Sequence, residues 1–365
     1  MLVNLARGLS GLGTEVDFIV KHTDAPYLDR LPPEVRLIEF SPGKPAARVR
    51  ELLHYLEQNR PDAVISAKGR DDVVAMRAKA RTGVPTRFYL RPGTAVSERL
   101  RARKTNPLRR WLTMRRMRWL YHATDGVIAV SEGVAEEIIQ ATGIDPGKVR
   151  VVRNPNITPE LYALAAAPLE HPWFAAGQDP VLLGIGGLRL QKDFPTLLRA
   201  FALVNKQRPC RLMILGKGHL HDSLLEFARE LGISDRVALP GFIDNPYAFL
   251  SRAAMFVLSS LWEGSPNVLT EALALGTPVV ATDCHSGPRE ITRNGKYGHL
   301  VPVGDVDALA RAILATLENP PDGEWLKTAV QEYTMEKSAA SYLSAMHLDQ
   351  PAGTLADAGT GQRNA

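Results

Sequence analysis

Cysteine is scarce in this sequence. Only Cys210 and Cys284 occur among 365 residues, each in or beside an apolar, strand-like run, with no CxxC pairing and no histidine cluster nearby. That spacing excludes a disulfide framework and a cysteine-built metal site, and both thiols read as core residues. Long apolar runs are missing as well. None approaches the roughly 18 residues needed to span a bilayer, so no transmembrane helix is expected. The opening stretch MLVNLARGLSGLG is periodic and lacks the basic segment and solid apolar block of a secretory signal. A cytoplasmic chain is the expectation. Acidic residues are absent from 99–118, which carries nine basic ones. Leu108, Trp111, Met114 and Met117 recur there at helical spacing, the pattern of a helix that lies on an anionic membrane or is packed by one face in a core. The basic residues form a single segment without a recognisable nucleic-acid-binding motif, so no nucleic-acid partner is expected.

What is present is the composition of a globular protein, 45% hydrophobic and 23% charged, at a length that suits two domains. Short β-branched runs alternate with longer helical patterns, the sign of parallel sheets covered by helices. The first half predicts strands near Glu15–Val20, Val35–Phe40, Ala63–Ser66, Thr86–Leu90, Gly126–Val130 and Val149–Val152. The second predicts them near Val181–Ile185, Arg211–Leu215, Val237–Leu239, Met255–Leu258 and Pro278–Thr282. An α/β protein with two doubly wound, Rossmann-like domains facing a cleft follows, with domains at 1–160 and 175–335. Asn154–Pro180, rich in Pro and Ala without clear periodicity, is the expected linker. A terminal helix at 336–349 is expected to pack back on the first domain, followed by a disordered tail at 350–365. The chain begins directly in an amphipathic helix, whereas such a domain normally opens with a buried strand and a glycine-rich turn. The first domain is therefore expected to lack its first strand.

The most specific signal is Glu263-Gly-Ser-Pro-Asn-Val-Leu-Thr-Glu271, directly after the apolar run Met255–Leu258. Gly264 and Pro266 favour a tight loop, and Asn267–Leu275 is a good helix, so backbone N–H groups at its start favour a phosphate or a sugar oxygen. A carboxylate in the loop and another about one turn into the helix suit ligand hydroxyls, which donate to them. Read without context, the pair is equally two acids favoured by a helix dipole.

Context comes from the whole of the second half. GIGGLRLQKDFPTLLRAF, LMILGKG, DRVALPGF, the two glutamates, GTPVVATD, SGPREI and GHLVPVGD follow one another between about Val181 and Glu318. In order and spacing they closely resemble the retaining glycosyltransferases of family 4, with the GT-B fold. DGVIAVSEGVAEEI and the Asn154-Pro155 turn are similar to the family too. The resemblance implies a metal-independent hexosyltransferase without a cofactor, using a nucleotide-sugar donor, UDP-linked rather than GDP-linked. It implies that Glu271 binds the ribose, that Glu263 lies at the transferred sugar, and that the loop of Gly264, Ser265, Pro266, Asn267 and Val268 supplies backbone donors to it. Lys192, with Glu263 the expected catalytic pair, would meet the diphosphate, where it offsets charge building on the leaving oxygen. Gly186 and Gly187 line the same site. The family usually has Arg where this chain has Gly187, and Arg189 is the expected substitute. It often has His after the strand corresponding to Thr86–Leu90, where Arg91-Pro-Gly-Thr94 stands here. Arg91 and Thr94 are thus the acceptor-side candidates, Arg91 for an acceptor phosphate.

Three other readings compete with this one. A nicotinamide-dependent oxidoreductase fails because the third glycine of G-x-G-x-x-G falls at Arg189. A metal at Asp71-Asp72 is not expected, because those acids open a helix. A shortened GT-B protein that binds a nucleotide sugar without turnover is the alternative to the enzyme. The basic segment suggests a glycan or lipid-linked acceptor at the inner membrane face, hence surface polysaccharide, lipopolysaccharide or glycolipid synthesis by a peripheral enzyme.

Overall fold

The computed structural model of the chain describes residues 1–24, 27–41, 43–94 and 106–348. The expected tail at 350–365 and the first part of the basic segment, 99–105, lie outside them.

In the first half, helix α1 (Leu2–Gly11) is followed by strands β1 (Asp17–Val20), β2 (Arg36–Glu39), β3 (Ala63–Ser66), β4 (Arg87–Leu90), β5 (Gly126–Ala129) and β6 (Val149–Val151). Helices α2 (Pro45–Asn59), α3 (Gly69–Lys79), α4 (Pro107–Ala123) and α5 (Glu132–Thr142) connect them. All pairings are parallel, as crossover helices require. The sheet comes in two pieces, β1-β2 and β3-β4-β5-β6. Among the described residues no ladder joins them. A core of Leu52, Leu56, Met76, Phe88, Val127 and Ile138 lies under one face.

The second half carries one six-stranded parallel sheet, ordered β12-β11-β10-β7-β8-β9. Its strands are β7 (Val181–Ile185), β8 (Arg211–Leu215), β9 (Val237–Gly241), β10 (Met255–Leu258), β11 (Val279–Thr282) and β12 (His299–Val301). Helices α6 (Pro159–Ala166), α7 (Phe194–Gln207), α8 (His221–Glu230), α9 (Asn267–Ala274) and α10 (Val306–Glu318) are its longer ones. Both faces are covered, so the strands read as continuous apolar runs; β10 is buried at all four positions. The order reverses between β7 and β10, and a doubly wound sheet offers its ligand crevice beyond the carboxyl ends at that point.

The expected linker is more structured than its sequence suggests. It contains α6, which buries Leu161 and Ala165 and is apolar on most sides, leaving no periodicity to read. Strand β12 was not expected at all, being three residues at a sheet edge that begin with an exposed histidine.

Two segments cross between the halves side by side. Ile157 forms a parallel bridge with Thr334, with Ile157 N donating to Tyr333 O (3.0 Å) and Met335 N to Ile157 O (3.0 Å). The last helix, α11 (Met335–Ala345), returns to the first half and packs on α1, with Ala339, Tyr342 and Met346 sharing a core with Leu5, Leu9, Tyr89, Ile128 and Val152.

Candidate functional site

The loops leaving β7 and β10 meet at the switch point because those strands are neighbours. Leu261 N donates to Gln191 O (2.8 Å), Ser259 Oγ to Lys192 O (2.7 Å) and Gln191 Nε2 to Trp262 O (3.0 Å). This stitching brings Lys192 Nζ to 2.6 Å from Glu263 Oε1, which also accepts from Ser260 Oγ at 2.7 Å. Glu263 is 6% exposed and its main-chain carbonyl accepts from Ser286 Oγ (2.7 Å), so the carboxylate is fixed from both ends. A buried carboxylate persists when paired and hydrogen-bonded, and Lys192 and Ser260 meet that need. The stem of Lys192 lies over Gly186, while exposed Arg189 lies over Gly187 and its guanidinium makes no hydrogen bond or ion pair with the described residues. Gly216, after β8, has φ 147°, and a Cβ there would fall 1.9 Å from Gly186 O, so only glycine lets the two loops close.

Beyond Glu263 the chain turns through Gly264–Pro266 into α9. Ser265 Oγ is buried and has no partner among the described residues. Glu271, partly buried, lies one turn past Asn267 on the same face of α9, and Tyr247 OH lies 3.5 Å from its Oε1. Burial pushes the Glu271 carboxyl up to about 7, against the nearby Met1 ammonium, which lowers it. Burial also pushes the Tyr247 phenol well above its usual range.

The opposite wall comes from the loop after β4. Thr94 forms an antiparallel bridge with Gly264, and a Cβ on Gly264 would fall 2.3 Å from Gly93 O. The segment read as acceptor side and the loop read as donor side therefore touch through their backbones. Two carboxylates, one lysine and a free arginine thus lie on the loops where the two α/β halves meet.

Two family models match adjoining parts of the chain, one described as "Glycosyltransferase Family 4" over residues 1–155 and one as "Glycosyl transferases group 1" over residues 170–333. The chain belongs to glycosyltransferase family 4. This family 4 chain is 33% identical over 200 residues to an N-acetylgalactosamine-N,N'-diacetylbacillosaminyl-diphospho-undecaprenol 4-alpha-N-acetylgalactosaminyltransferase of Campylobacter jejuni, covering 55% of this chain and 53% of that protein. It spans about half the length of the curated relatives it matches. Among solved structures, the apo form of the lipopolysaccharide outer core galactosyltransferase WaaB superposes with a TM-score of 0.71 at 20% identity, over 95% of this chain and 94% of that one. HepE of Anabaena, solved with UDP, does so with a TM-score of 0.66 at 17% identity, over 95% and 93%. These neighbours share the GT-B fold, two Rossmann-like domains about a cleft.

One side chain of this family 4 chain sits where its sequence did not place it. Arg91 is 5% exposed and spends its Nε on Tyr342 OH (2.9 Å) and its Nη2 on Asn154 Oδ1 (2.5 Å). A buried guanidinium collects the chain's own acceptors, and this one is held inside the protein rather than offered to an acceptor phosphate. Of the pair at the start of α3, Asp71 binds Lys21 (2.6 Å) and Arg48 (2.9 Å), and Asp72 accepts from Ser66 Oγ (2.6 Å). Helix α4 enters the first core through Met117, Leu120 and Tyr121, with Met114 partly buried, while Leu108, Trp111 and Leu112 stay exposed among arginines.

Sequence reasoning also missed Glu290. Its carboxylate accepts from the backbone N–H groups of Glu132 (2.8 Å) and Gly133 (3.1 Å) at the start of α5 and pairs with Arg153 at 2.6 Å. A residue of the second domain thus caps a helix of the first. The only sequence signal was its place in SGPREI, and nothing there names its partner. Among the described residues, no helix is long and apolar enough to cross a membrane.

Proposed function

We propose that this chain is a retaining, metal-independent transferase of a hexosyl or N-acetylhexosaminyl group from a nucleotide sugar, UDP-linked rather than GDP-linked. Its acceptor is a lipid-linked or polysaccharide glycan in lipopolysaccharide or other surface-polysaccharide synthesis. The observation that carries the reading is the Lys192–Glu263 pair at the switch point, 2.6 Å apart, within touch of both walls. In this reading the donor displaces Lys192 from Glu263. Lys192 and Arg189 meet the diphosphate, Glu271 accepts from the ribose hydroxyls, and Glu263 and the Gly264–Val268 loop hold the sugar, with Ser265 Oγ gaining its missing partner. The bond from the anomeric carbon to the diphosphate oxygen breaks with its electron pair going to the diphosphate. The acceptor hydroxyl bonds to the same carbon from the side the diphosphate leaves, and its proton passes to that phosphate. Lys192 stabilises the negative charge that builds on the leaving oxygen, and removing one such group costs about 10²–10³ in turnover. The test is incubation with a panel of nucleotide sugars, scored for nucleoside diphosphate release and for the anomeric configuration of the product. Lys192→Ala and Glu263→Gln should each lower release about 10²-fold with the fold intact. Release by both at the wild-type rate, or an inverted product, refutes the reading.

The acceptor side is supported by α4. Trp111 is 55% exposed with the Arg115 guanidinium 5.5 Å from its ring, on a helix that also carries Arg109, Arg110 and Arg116 and shows Leu108 and Leu112 to solvent. Indole, leucine and arginine together suit an anionic lipid interface, where each cation contributes about 1 kcal/mol. Sedimentation with phosphatidylglycerol vesicles should be lost when the four arginines are replaced by glutamine, and binding retained by that variant refutes the contact.

A further inference from the structure

Asn267, the first residue of α9, is held by two asparagines from the segment that leaves the first half. Asn154 Nδ2 donates to Asn267 Oδ1 at 2.9 Å, and Asn156 Nδ2 donates to the same oxygen at 3.0 Å. Both asparagines are 4% exposed. Behind them stands Arg91, which donates to Asn154 Oδ1 and to Tyr342 OH. The chain of contacts runs from the last helix, through the loop after β4, to the first residue of the donor-side helix.

A carboxamide looks nearly the same from either end, and its partners decide which end is oxygen. Arg91 is the member whose polarity is beyond choice, since a guanidinium only donates. It must therefore face the oxygen of Asn154, which turns the Asn154 NH2 toward Asn267. Asn267 must answer with its oxygen, and Asn156 meets that oxygen with its own NH2. The orientation is handed on, and its end result is that the NH2 of Asn267 is turned out of the network. No described residue accepts from it, and its half-buried side chain lies one turn before Glu271 on the same face.

We propose that Arg91 is a positioning residue for donor binding. Through Asn154 it locks the Asn267 carboxamide with its NH2 outward, as a donor to the diphosphate of a nucleoside diphosphate whose ribose is at Glu271. Arg91 itself never touches the ligand. The inference rests on the donor site proposed above. Without Arg91, Asn154 is free to turn its oxygen toward that of Asn267, which is then held only by Asn156, itself anchored on Thr270 Oγ1 at 3.3 Å, and the outward NH2 is no longer fixed from both sides.

Calorimetry of the purified chain with UDP and with uridine, and with GDP and guanosine, tests it through the ratio of diphosphate to nucleoside affinity. Asn267→Asp keeps an acceptor for both asparagines and replaces the outward NH2 by oxygen, so the ratio should fall about tenfold or more while the nucleoside affinity holds. Arg91→Met should lower the same ratio, and Arg91→Lys, which still only donates, should restore part of it. A ratio unchanged in folded Asn267→Asp, or equal losses of diphosphate and nucleoside binding in Arg91→Met with no recovery in Arg91→Lys, overturns the proposal. Should Arg91→Met fail to fold, Asn267→Asp and Arg91→Lys decide, the latter being required to bind the diphosphate within a few-fold of wild type. If the unaltered chain binds neither diphosphate, the donor site itself is refuted and the positioning role with it.

Discussion

Replacing Gly264 by alanine tests the contact between the two walls of the crevice. The new Cβ would stand 2.3 Å from Gly93 O and 2.9 Å from both Gly93 C and Thr94 Cα. Ordinary van der Waals contacts of a Cβ begin at 3.4 Å, so the two backbones must separate by roughly 1 Å. All three obstructing atoms are main chain, and no side chain rotates out of the way. Overpacking of this kind costs about 1–3 kcal/mol, and at this chain length that lowers the melting temperature by a few degrees. The larger effect falls on chemistry, because a displacement of about 1 Å at a reacting centre costs on the order of 10²-fold in rate. Nucleoside diphosphate release from the preferred donor, measured beside thermal unfolding, should show both effects. Gly83→Ala, where an added Cβ meets nothing within 4 Å, is the control and should stay within about 0.5 kcal/mol of wild type. Wild-type turnover and melting temperature in Gly264→Ala would refute the closeness of the walls and, with it, the delivery of sugar across them.

Other outcomes follow from single groups. With the Glu271 carboxyl held up to about 7 by burial, against 4.5 when exposed, the folded protein holds its proton more tightly than the unfolded chain. Its contribution to stability is present below about pH 4.5 and is lost as pH rises toward 7. Nucleotide binding calls for the opposite state, since a charged acceptor is about twice as strong for ribose hydroxyls. Affinity for the nucleoside diphosphate should therefore climb between pH 5.5 and 7.5 (roughly the span of that titration) more steeply in wild type than in Glu271→Gln; identical calorimetric profiles contradict the assignment. Glu290→Ala leaves Arg153 with only its longer 3.8 Å contact to exposed Glu132 and removes a cap from α5, an expected loss of about 2 kcal/mol in urea unfolding. Small-angle scattering should report a wider distribution of domain angles in that variant, and an unchanged curve would argue against Glu290 as a tie between the domains.

Much of this fold could be read before any coordinates. Strands such as Met255–Leu258 and Arg211–Leu215 announce themselves because a parallel sheet covered on both sides needs unbroken apolar runs, and Glu263 and Glu271 stand out by their place after one of them. What resisted reading depends on partners distant in sequence. Arg91 gives no sign in its neighbourhood that Tyr342 and Asn154 await it. The bridge between Thr94 and Gly264 exists only once two domains are set against each other. Asn154 and Asn156 look like turn residues, and only their shared contact with Asn267 shows otherwise. Helix α6 escaped because apolar residues on most sides erase periodicity, and β12 because three residues at an edge carry too little pattern.

The return of α11 to α1 has a consequence for synthesis. Ala339, Tyr342 and Met346 fill a core whose other members, from Leu5 to Val152, emerge from the ribosome first. At about 5–20 residues per second, that early core waits on the order of ten seconds or more for its last pieces, with Tyr89 and Ile128 lacking their cover. Meanwhile the six-stranded domain, complete in its own stretch of chain, is free to fold before the domain that precedes it. Order of emergence and order of completion are thereby reversed, and a nascent chain that has just cleared the ribosome as far as Thr334 would carry a finished second domain behind an unfinished first.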